Sequence, residues 1–115
     1  MSEILNYVEK IKTQEQNILL KTTELEQMKE KLEMASLKLE SDVRSETDIE
    51  TKKLRYSNEG LRSNELKKRI NAILGENLFE IRQLKTTLEE MEIELSYSRN
   101  MFSALRALLR AKEEN

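Results

Sequence analysis

Cysteine, histidine, proline and tryptophan are all absent from this chain of 115 residues, and glycine occurs only twice. Each absence removes a class of chemistry. Without cysteine there are no disulfides and no thiol nucleophile. Without histidine the commonest general base is gone, and with both missing most zinc sites go too. Di-iron bundles built on Glu-x-x-His are excluded for the same reason. Two glycines cannot make a phosphate-cradling loop. The carboxylates Glu89, Glu90, Glu92 and Glu94 are clustered in sequence, but on a helix they spread over several faces and read as solvated surface. No catalytic residue, no metal ligand and no cofactor site is expected.

Long apolar runs are missing as well. No stretch approaches the roughly 20 residues of a membrane span, and Met1, Ser2 and Glu3 do not open a signal peptide. The formal net charge is only −2, so the whole molecule is not drawn to nucleic acid or to an acidic membrane. These features predict a soluble intracellular protein, cytoplasmic with a nuclear location also open.

What the chain does contain is a heptad pattern. Every seventh residue from Ile4 gives Ile4, Ile11, Ile18, Leu25, Leu32, Leu39, Glu46, Lys53, Gly60, Lys67, Leu74, Ile81, Leu88, Leu95, Phe102 and Leu109. Twelve of these sixteen are apolar, and the four exceptions are consecutive. A weaker stripe starts three residues later and includes Gln14, Met28, Asp42, Ile49, Ser63, Asn77, Leu84, Met91, Ser98 and Leu105. An apolar seam repeating every 3.5 residues is the mark of helices paired along a narrow line. Hydrophobic and charged residues each make up 37% of the chain, too polar to fill a compact interior and too regular for a disordered segment.

The middle of the pattern is polar, so pairing must weaken there. Two architectures follow. One is a single continuous helix of about 170 Å in an oligomeric coiled coil. The other, preferred, is all-α: an antiparallel coiled-coil helical hairpin forming one domain over 1–115 and associating into a four-helix assembly. Gly60 followed by Leu61, with Tyr56 behind, suits a Schellman ending, and Ser63 suits an N-cap. The expected boundaries are helix 1 over about 3–59, a turn over 60–63 and helix 2 over 64–113. The segment from Glu46 to Lys67 lacks the alternating β-branched runs that strands require. With paired residue numbers summing to 116, Leu25 faces Met91, Leu32 faces Leu84 and Ile11 faces Leu105. A slip of one heptad, to 123, fits almost as well. Gly75, followed by the polar Glu76, reads as a local weak point.

Two surface features bear on function. From Glu40 to Glu50 the local net charge is −4, and from Lys52 to Arg69 it is +5. Lys52, Lys53, Arg55, Arg62, Lys67, Lys68 and Arg69 would then give the hairpin a basic tip able to touch phosphates, or pair with the neighbouring acidic block. At the other end, residues 101–111 are apolar around most of the circumference, and Leu5, Val8, Leu19, Leu20, Ile73, Leu78 and Phe79 add further surplus. A face wider than one seam indicates more than two packed helices.

The resulting expectation is a non-catalytic adaptor or scaffold that self-associates as a dimer through Ile4, Ile11, Ile18, Leu25, Met28, Leu32, Leu39, Leu74, Ile81, Leu84, Leu88, Met91, Leu95, Phe102, Leu105 and Leu109, and that docks on another protein. The alternatives are a nucleic-acid-binding helical arm and a subunit of a hetero-oligomeric tethering complex. An amphipathic membrane contact through Phe102, Leu105 and Leu109 is a weaker reading.

Overall fold

Leu, Glu, Lys, Gln, Met and Arg dominate both arms of the sequence, and all lose little rotamer freedom in a helix. The computed structural model, which describes residues 2–48 and 50–114, forms two helices accordingly. Helix α1 spans Ser2–Ser45 and α2 spans Glu59–Glu114. Each carries a charge suited to its ends: Glu3 in the first turn and Arg44 in the last turn of α1, Glu59 and Lys112 at the corresponding turns of α2. Among the described residues there is no strand, only an isolated antiparallel bridge between Thr47 and Leu54. The single continuous helix is therefore ruled out.

The break is not where the glycine suggests. Residues 46–58 connect the helices, and Gly60 lies in the first turn of α2 without a positive φ. The left-handed position belongs to Lys52, at φ 58°. Local hydrogen bonding explains the shift. The Asn58 side-chain oxygen accepts the Leu61 N–H at 2.8 Å, and the Asn58 carbonyl accepts the Arg62 N–H at 3.1 Å, which makes Asn58 the N-cap that Ser63 was expected to be. Asp48 holds the turn: its carboxylate accepts the Glu50 N–H at 2.9 Å, and its carbonyl accepts the Lys52 N–H at 2.9 Å. Further backbone bonds run from Asp48 N–H to the Lys53 carbonyl at 2.8 Å and from Arg55 N–H to the Glu46 carbonyl at 2.9 Å. Gly75 lies within α2, which continues unbroken past it. Ile49 lies outside the described residues.

The chain divides into two compact units. Unit 1 comprises Met1–Leu25 with Gln83–Asn115, and unit 2 is Glu26–Arg82. In unit 1 the two helical segments run antiparallel: Ile4 shares a cavity with Leu105 and Leu109, and Glu15 pairs with Arg99 at 3.0 Å. Leu25, Leu84, Leu88 and Leu95 are buried there, with Ile4, Ile11, Ile18, Met91, Phe102, Leu105 and Leu109 half-buried beside them. Unit 2 is a helix–turn–helix in which Val43, Leu74 and Ile81 are buried and Met28, Leu32 and Leu39 half-buried.

Ile4 lines one cavity with Leu105, Leu108, Leu109 and Lys112 in unit 1, and Val43 lines one with Arg62, Ser63 and Leu66 in unit 2. In unit 2 the second stripe drifts by one residue: Val43 is only 1% exposed, while Asp42, Ser63 and Asn77 face solvent and Leu78 is half-buried. Burial of an apolar neighbour outweighs strict heptad spacing there.

Candidate interaction surface

All sixteen expected seam residues are buried or half-buried within the chain's own units. Apolar surface also stands exposed outside that seam. In unit 1, large apolar groups stand in solvent on both helical segments: Leu5 is 61% exposed, Leu20 69%, Ile93 70%, Tyr97 61% and Leu108 63%. Each arises because a helix buries only the residues on its facing side, and these lie on other faces. Leu5, Val8, Leu19 and Leu20 belong to the surplus visible in the sequence. Ile93 and Tyr97 do not, because polar residues surround them in the chain. The signal that finds them is a second helical period on α2 through Ile93, Tyr97, Ala104 and Leu108.

A groove of about 500 Å³ opens beside that period, lined by Lys10, Gln14, Ile93, Glu94, Tyr97 and Ser98. Gln14 Oε1 and Ser98 Oγ are buried in it without a hydrogen-bond partner among the described residues. Ser98 is 1% exposed. Both occupy seam positions where an apolar residue would pack, and a buried polar atom without a partner costs about 1–3 kcal/mol.

In unit 2 the charges expected at the tip are divided. Glu46 draws in Arg69 and pairs with Arg55 at 3.2 Å, and Arg69 also bonds Glu65 at 2.9 Å. The Arg69 guanidinium so close to it lowers the Glu65 carboxyl below its ordinary value. Hydrogen bonds to Glu46 and Glu65 raise the Arg69 pKa. The stabilisation by Glu65 is thus present above the ordinary carboxylate range and lost as pH falls through its lowered value. The Arg69 guanidinium lies 5.8 Å from the Tyr56 ring centre. Arg62 is half-buried, reaching the Tyr56 carbonyl at 3.4 Å. Lys52, Lys53, Lys67 and Lys68 are exposed and form no ion pair among the described residues. Acid–base pairing within the unit accounts for two of the seven bases, Arg55 and Arg69.

Among the described residues no group of three or more acidic side chains is gathered so as to hold a metal ion. Among the described residues no helix is long and apolar enough to cross a membrane. The chain matches no protein-family model, no curated protein and no solved structure.

Proposed function

We propose that this chain is a non-catalytic scaffold or adaptor that acts inside the cell by helix–helix self-association. One observation carries the reading: after the helices have packed on each other, the chain still leaves Leu19, Leu20, Ile93, Tyr97 and Leu108 more than half exposed in unit 1 alone. Large apolar surface of this kind marks an interaction site, and burial at about 25 cal/mol per Å² drives association. Further helices packing against it would complete a four-helix assembly, with α1 and α2 as the paired arms of a coiled coil.

The mass of the purified chain in solution tests this. A dimer at micromolar concentration, with helicity intact, is the expected outcome. A helical monomer overturns self-association and leaves a subunit whose apolar faces are covered by a different protein. Exposed Lys52, Lys53, Lys67 and Lys68 support a second reading, an arm that contacts nucleic acid. Binding of arbitrary duplex DNA or RNA that weakens steeply with salt would favour it.

A further inference from the structure

We infer that Gln14 and Ser98 form a polar layer that holds the two helical segments of unit 1 in one alignment, in addition to the constraint that the connection places on the hairpin. Both residues belong to the same chain, so the inference does not depend on self-association.

The main apolar stripe tolerates sliding. Ile4, Ile11, Ile18 and Leu25 repeat every seven residues on α1, as do Leu88, Leu95, Phe102 and Leu109 on α2. Moving one segment past the other by a heptad brings apolar residues together again at most of these places, with similar burial. Within unit 1 the distinction between alignments falls to the second stripe.

Gln14 and Ser98 interrupt that stripe, and they do so side by side. Both line one groove, and the adjacent residues Glu15 and Arg99 pair across the seam at 3.0 Å. Ser98 is only 1% exposed, and neither its Oγ nor Gln14 Oε1 has a hydrogen-bond partner among the described residues. Apolar residues flank the pair: Ile11 and Ile18 are half-buried on α1, and on α2 Leu95 is buried and Phe102 half-buried. A polar layer enclosed in this way costs stability and restricts the ways in which two helices can be aligned.

A slip of one heptad separates the two groups. In one direction Gln14 moves to Leu105 and Ser98 to Lys21. In the other, Gln14 moves to Met91 and Ser98 to Tyr7, and Glu15 meets Glu92 in place of Arg99. Either slip sets the buried Gln14 amide against an apolar side chain, which desolvates it with no polar neighbour. Alignment also governs the surface that unit 1 offers to partners. Ile93 and Tyr97 share the groove with Lys10 and Gln14, and a slip of one heptad would carry them about 10 Å along α1.

Distance measurement within one chain tests the inference. The chain has no cysteine of its own, and Glu9 and Glu89 are both exposed in unit 1. Spin labels on Glu9→Cys with Glu89→Cys, diluted in unlabelled chain, should report one distance. Adding Gln14→Leu with Ser98→Leu should raise Tm and bring in a second distance, because the layer that opposed sliding is gone. Adding instead Ser98→Leu with Leu105→Ser, which moves the serine one heptad along α2, should enrich the second distance further. Two distances in the labelled chain before either addition, a fall in Tm on replacing both polar residues with leucine, or one unchanged distance in both variants overturns the inference.

Discussion

Gln14 and Ser98 each bury a side-chain oxygen without a partner among the described residues, where Leu25 and Leu88 show what an apolar seam residue achieves elsewhere in unit 1. Removing such an atom relieves a desolvation cost and leaves a small void. Ser98→Ala should accordingly raise stability by about 1 kcal/mol, read as an increase in Tm. A loss of stability would show that the hydroxyl is satisfied in solution. Gly60 offers a second single-residue test. An added Cβ there meets only the Asn58 side-chain oxygen, at 3.4 Å, and the backbone is helical rather than left-handed. Gly60→Ala should stabilise by up to about 1 kcal/mol. Destabilisation on chemical unfolding would place the turn at the glycine after all.

At the scale of the element, the start of α2 depends on one side chain. Asn58→Ala removes the acceptor of the Leu61 N–H and should cost roughly 0.5–2 kcal/mol. Hydrogen exchange should show the loss concentrated in the first turns of α2, and uniform loss of protection along the helix would argue against a capping role. The seam of unit 2 provides a contrast between neighbours. Val43→Ala deletes two buried methyl groups, worth roughly 2 kcal/mol or more, whereas Asp42→Ala alters an exposed position and should shift stability by less than about 0.5 kcal/mol. Strict heptad spacing gives the opposite ranking, so denaturant midpoints for the two variants decide the register of this segment.

For the whole molecule, folding and association are linked. Anything that binds the folded chain and not the unfolded one raises apparent stability by mass action. A self-associating chain should therefore show a Tm that climbs with protein concentration. Calorimetry over a hundredfold dilution series measures this, and a concentration-independent Tm would mark the folded monomer as the stable species.

The amino-acid sequence by itself determined the helical class and the identity of the buried stripe. Both follow from periodicity, a property of each helix alone: Leu74, Ile81 and Leu88 are buried in the structure because their seven-residue spacing puts them on one side of α2. Tertiary structure decided where the chain turns. Two-helix pairing tolerates slips of a whole heptad, so the apolar pattern alone is satisfied nearly as well by one register as by the next. The choice comes from the connection, where Asp48, Lys52 and Asn58 hold a turn over residues 46–58 that no periodic signal announces. Asn58 and Asp48 are ordinary polar residues until the partner helix arrives. Gly60, the conspicuous breaker, keeps a helical backbone because an N-cap two residues earlier has already started the helix.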